Sequence, residues 1–149
     1  MAQPKTVRFG KFRLLLGNSE SPEVYSAPCG FTEITVTYEK QVSEVLLPDC
    51  IDPDAPIVVG RDVTSISSSI SGNGVMALES VNEWLKFRQS VLSRNVRLET
   101  VGEAPFGTTT ETCKYHLTNF TRSASTGGRV QVSVELVSDG DATISPALS

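Results

Sequence analysis

Few of the 149 residues have the type and spacing that chemistry needs. His116 is the only histidine. A Ser-His-Asp hydrolase would need it as the general base, yet no G-x-S-x-G nucleophile elbow accompanies it. A structural or surface role is the expectation. The run Gly72-Asn73-Gly74-Val75-Met76-Ala77 fits the dinucleotide fingerprint G-x-G-x-x-A between a strand-like and a helix-like segment. The preceding stretch is rich in serine, however, where a buried parallel strand would be a Val/Ile run, and the chain offers one helix where a βαβ repeat needs more. A strand-to-helix turn is expected instead.

Asp49, Asp52 and Asp54 gather oxygens of the kind hard cations bind, but prolines interrupt them and the glycine and glutamate of an EF-hand loop are missing. They read as a solvated acidic loop. Cys29, Cys50 and Cys113 match neither zinc-site nor thioredoxin-type spacing and read as three free thiols of a reducing compartment. Asn119-Phe120-Thr121 has the form of a glycosylation sequon, but the short apolar run Leu14-Leu15-Leu16 is neither a signal peptide nor a membrane span. No active site assembles from these residues, and neither cofactor nor metal is expected.

Period-two alternation dominates the elements that would position such residues. In 31–39, Ile34, Val36 and Tyr38 alternate with Glu33, Thr35, Thr37 and Glu39. In 129–137, Val130, Val132, Val134 and Leu136 alternate with Arg129, Gln131, Ser133 and Glu135. A serine-rich strand is predicted over 62–71, weaker ones over 96–101 and 112–120, and a first strand over 9–16. Ser125-Thr126-Gly127-Gly128 reads as a hairpin turn. Val81, Trp84, Leu85, Val91 and Leu92 recur at helical spacing, so one helix is predicted over 80–93, opened by a Ser80/Glu83 capping box. Pro48, Pro53 and Pro56 predict a long loop over 40–61. The expected fold is mainly β, an antiparallel sandwich or barrel-like subunit with one flanking helix in a single domain spanning 1–149.

Charge is uneven along the chain. Thirteen Lys and Arg against 17 Asp and Glu leave a net charge of −4, which argues against a domain that grips nucleic acid through its phosphates. Residues 1–13 carry four bases and no acid, whereas 14–60 carry one base and eight acids. In a self-assembling protein this asymmetry lets the basic arm of one copy meet the acidic surface of the next.

The stretch Leu14 to Glu39, with Pro22-Glu23-Val24-Tyr25 ahead of Gly30 and a strand, then Ser71-Gly72-Asn73-Gly74 before the helix, and a last strand running into Ser138-Asp139-Gly140, resembles the major tail tube proteins of long-tailed bacteriophages with non-contractile tails. The resemblance implies a virion protein made in the host cytoplasm. It further implies subunits in sixfold rings with a β-barrel lumen, stacked around a tape measure protein between tail tip and terminator proteins, with DNA only in transit and no membrane.

On that basis Glu33, Thr35, Thr37, Glu39, Ser65, Ser67, Ser69, Gln131, Ser133 and Glu135 are lumen candidates. Each lies on the polar side of its strand; the choice of lumen over outer wall comes from the resemblance. Lys5, Arg8, Lys11 and Arg13, with Asp49, Asp52 and Asp54, are candidates for contacts between rings. The alternative is a β-sandwich binding module of adhesin or carbohydrate-binding type, for which the aromatic complement is small.

Overall fold

The computed structural model describes residues 3–17, 25–27, 30–103 and 106–145. A 3₁₀ turn, Phe9–Lys11, leads into β1 (Phe12–Gly17) and β2 (Tyr25–Ser26). Then come β3 (Phe31–Leu47), β4 (Val58–Val75), α1 (Leu78–Gln89), β5 (Arg94–Thr100), β6 (Thr109–Ser123), β7 (Gln131–Ser138) and β8 (Thr143–Ser145). All eight strands form one antiparallel sheet of order β2-β1-β5-β6-β7-β4-β3, with β8 paired to the start of β6. The fold is therefore mainly β and barrel-like, as the alternation predicts. It is one sheet curled over its own core rather than two separate layers. Two bonds span the concave side: Tyr38 OH donates to Glu111 Oε2 at 2.7 Å, and the Ser68 and Tyr115 hydroxyls lie 2.6 Å apart.

Alternation explains the core. Leu14 and Leu16, Val96 and Leu98, Cys113 and Tyr115, Ile70, and Val132, Val134 and Leu136 are buried together. Residues directly opposed in a ladder share a face, and the register Val36–Ile70–Leu136–Leu117 threads one apolar row through four strands. The helix lies on this face. Trp84, 1% exposed, places its ring 5.7 Å from Phe31 edge-on and stacks at 6.4 and 6.1 Å with Phe87 and Phe120.

Several expectations need correction. The helix begins at Leu78 with Ala77 as its N-cap, so no Ser80/Glu83 capping box forms. Ser80 is buried within the helix, and Glu83 instead meets Arg94 at 3.2 Å. Val91 and Leu92 lie beyond the helix and are exposed, because Ser90 is already extended toward β5, and Phe87 fills the core position they were expected to share. Phe9–Lys11 is a 3₁₀ turn and not the start of β1.

Gly72 and Gly74 lie inside β4 and make no turn. A Cβ on Gly72 would come within 2.9 Å of the Phe31 ring, and one on Gly74 would collide with the Gly30 carbonyl, so the glycines let β3 pass closely. The predicted turn at 125–128 is present: Gly127 has φ +83° and the Gly128 N–H donates to Ser125 O at 3.1 Å.

The largest correction concerns 40–61. Only 48–57 is a loop; the flanking residues pair from Leu47–Val58 down to Val42–Val63. The result is a hairpin arm extending past the point where β7 stops pairing, at Ser69–Val137. Prolines 48, 53 and 56 sit in its tip, where no ladder bond is required of them. A bulge between Gln41 and Val42, braced by Thr64 Oγ1 donating to Gln41 O at 3.1 Å, marks the base of the arm.

Candidate functional site

Two surfaces stand out: the polar face of the sheet and the arm. In β3, Glu33, Thr35, Thr37 and Glu39 alternate with Ile34 and Val36, which pack against the core, and with Tyr38, which is on their side of the strand but exposed. The register joins Thr35 to Ser71 and Glu135, Thr37 to Ser69, Glu39 to Ser67, and Gln41 to Ser65. Glu33 opposes Asn73, which opposes Ser133, while Gln131 opposes Val75. All ten lumen candidates therefore share one face of three adjacent strands. Over β3 31–41, β4 65–75 and β7, that face carries the carboxylates of Glu33, Glu39 and Glu135 and no Lys or Arg. Asn119 and Thr121 of β6 extend it, bonded to each other at 3.0 Å.

His116 lies on the same face, opposite Val137, and its Nε2 meets Asp139 Oδ2 at 3.1 Å with both side chains about half exposed. This is a surface pair tying β6 to the chain after β7. Cys50 is exposed and free; Cys113 is buried and free, and burial raises its thiol pKa. Cys29, Pro22, Glu23 and Val24 lie outside the described residues. Among the described residues no group of three or more His, Cys, Asp or Glu could hold a metal ion, and no helix is long and apolar enough to cross a membrane.

The arm has a composition that a free hairpin does not tolerate well. Val42, Val45, Leu46, Leu47, Ile57, Val58, Val59 and Val63 are all exposed, and Ile51 at the tip is 94% exposed. A two-stranded hairpin is marginal in water without a partner for its apolar surface. Among the described residues its one ion pair, Arg61–Glu44 at 3.3 Å, is well solvated and contributes little. Sequence reasoning missed these apolar residues because the prolines drew the whole segment into a loop, although the run Val45-Leu46-Leu47 next to Ile57-Val58-Val59 was the signal for a hairpin.

At the tip the acids build the turn. Asp49 Oδ1 accepts the Ile51 N–H at 2.8 Å and the Asp52 N–H at 3.1 Å, and Asp52 Oδ1 accepts the Asp54 N–H at 3.2 Å. The bond from Ile51, then that from Asp52, holds the Asp49 carboxyl below its ordinary value of 3.8. A lowered folded-state pKa means that the tip bonds are complete above the ordinary carboxyl range and are lost as pH falls through the lower folded value. An NMR titration should show the Ile51 and Asp52 amide shifts moving together with a midpoint below 3.8.

The basic residues separate. Lys5 Nζ lies 6.0 Å from the Phe106 ring centroid, Arg8 caps the 3₁₀ turn and Lys11 ends it, and Arg13 is a strand residue opposite Glu99 with 3.9 Å between charges.

A curled antiparallel sheet with one helix thus carries a largely polar face, broken by Val75 and Val137, and an apolar arm, two surfaces suited to assembly. The sequence model of the phage tail tube protein family matches residues 6–143. The chain belongs to the phage tail tube protein family. No curated protein matches it. Among solved structures this tail tube protein is similar to a chain of the virion of a native gene transfer agent particle, at TM-score 0.69 and 12% identity over 94% of this chain and 99% of that one.

A chain from the tail of an empty gene transfer agent particle with C6 symmetry gives 0.64 and 14% over 87% and 93%. One from the SPP1 tail tube gives 0.65 and 11% over 97% and 81%. At such identities the likeness shows the shared fold. The tail tube protein is a structural protein of a phage virion.

Proposed function

We propose that this tail tube protein forms sixfold rings that stack into the tube of a non-contractile tail, with the polar face of β3, β4 and β7 lining the lumen and without enzymatic activity. Tape measure protein fills the lumen during assembly in the host cytoplasm. Terminator and tip proteins close the ends, and DNA later passes through. The observation that supports this reading is the largely polar face, opposite a buried apolar row, on strands whose sheet ends in an open edge. β3 pairs with β4 on one side, and among the described residues nothing pairs its other side along 31–47. An edge of that length invites pairing with another copy. The C6 symmetry of the tail that holds a similar chain supports six copies per turn.

A lumen wall that carries three carboxylates and no Lys or Arg over β3 31–41, β4 65–75 and β7 suits DNA in transit, since along these strands phosphates meet no counterion-releasing lysine or arginine. The arm, with its tip at 48–57, and the basic segment Lys5–Arg13 carry the contacts between rings: the arm brings apolar surface in need of cover, and the segment brings charge opposite to the acidic body. Electron microscopy of the purified chain at rising concentration tests the reading. Sixfold rings or tubes are the expected result; monomers at every concentration, with and without tape measure protein, would remove it.

A further inference from the structure

A groove of about 570 Å³ opens on the concave side of the sheet, between the base of the arm and the β6–β8 edge. Its walls include Tyr38, Val63 and Ile66 from β3 and β4, and Glu111, Cys113 and Asp141 from the other side. Ile66 is 72% exposed and Val63 54%, so apolar surface lies open in a concave site. The Tyr38 phenol, raised in pKa first by burial and then by its bond to Glu111, clasps the two walls. The groove is lined by two carboxylates, Glu111 and Asp141, and by no Lys or Arg.

A ligand for such a groove carries positive charge beside apolar side chains. Pro4 to Phe9 has that pattern: Lys5 and Arg8 are interleaved with Val7 and Phe9, both of them more than half exposed. In its own subunit this segment lies elsewhere, beside 100–103 and 106–109 with Lys5 over Phe106. The tip acids that charge asymmetry first offers as its counterpart are partly occupied, because Asp49 and Asp52 accept the backbone N–H groups of their own turn.

We propose that the Glu111/Asp141 groove receives the segment 4–9 of a second copy of this chain, with Lys5 and Arg8 facing the two carboxylates and Val7 or Phe9 covering Ile66. This rests on the tube reading and assigns the receiving surface within it.

Two charge-reversed chains test the docking: Lys5→Glu/Arg8→Glu, and Glu111→Lys/Asp141→Lys, with Asp141→Lys alone as the variant that leaves the Tyr38 bond intact. Folding is checked by circular dichroism, and tubes are measured by sedimentation and electron microscopy. Each chain alone, Asp141→Lys included, should lose at least about tenfold in sedimenting tubes, as like charges meet in the interface. An equimolar mixture of the two double variants should regain tubes, because each segment then finds a groove of opposite sign on the other chain.

Parental yield from either folded variant overturns the docking, and so does a mixture that stays dispersed. Recovery by mixing Lys5→Glu/Arg8→Glu with Asp54→Lys would also overturn it, by moving the contact to the tip. Tubes from the parent chain in those cases leave the tube reading standing; their absence from the parent removes the reading and the docking together.

Discussion

Replacing residues 42–64 by Asn-Gly is expected to give a folded subunit that builds no tubes. Gln41 and Ser65 oppose each other in the ladder, and a two-residue Asn-Gly turn matches the twist of the strands it joins. The excised residues contribute nothing to the buried core, which lies on β1, β4 from Ile70, the helix, and β5 to β7. Removing exposed residues leaves the monomer's unfolding midpoint within about 4 °C of the parent, the shift that ~1 kcal/mol produces in a domain of this size. Assembly is lost because the exposed apolar surface of the arm goes with it. Sedimentation and microscopy read the loss, and calorimetry reads the retained fold. Tubes of normal length from this variant would assign the arm another role.

The second large effect is on folding. Trp84→Ala removes a fully buried side chain that stacks on Phe87 and Phe120 and meets Phe31 edge-on. Truncating a buried aromatic costs about 3–5 kcal/mol, and at about 2–4 °C per kcal/mol the midpoint falls by roughly 6–20 °C. Trp84→Phe should recover most of that loss, since it keeps an apolar ring at the contact. A fall of less than ~3 °C in Trp84→Ala would mean that the helix contributes little to holding the sheet's concave side.

The parts of the fold legible in the sequence are those where one side of a strand is buried. Ile34 and Val36 against Glu33, Thr35 and Thr37, and Val132, Val134 and Leu136 against Gln131, Ser133 and Glu135, carry the alternation because one set meets the core and the other water. The same alternation assigned the ten polar residues to one side of each strand, although it cannot say that the three strands lie side by side; only the register Thr35–Ser71–Glu135 does that. The arm was illegible for the complementary reason. With both its faces exposed in the subunit, its apolar residues follow the demands of a surface outside the chain, and the prolines of the tip became the strongest local signal.

The helix misled at both ends. Val91 and Leu92 fit its spacing without belonging to it, and Ser80 and Glu83 fit a capping box while serving burial and a contact with Arg94. Glu111 and Asp141 gave no sequence signal at all, being 30 residues apart and brought together by the pairing of β8 with the start of β6.

The proposed lumen wall is the face bearing Glu33, Thr35, Ser67, Ser69, Ser133 and Glu135. Electron cryomicroscopy of assembled tubes, at a resolution that separates strands and locates side chains, tests it most directly. These six side chains should point at the tube axis in every subunit, with α1 on the far side of the sheet. A reconstruction that turns this face to the outer wall, or buries it against a neighbouring subunit, would contradict it.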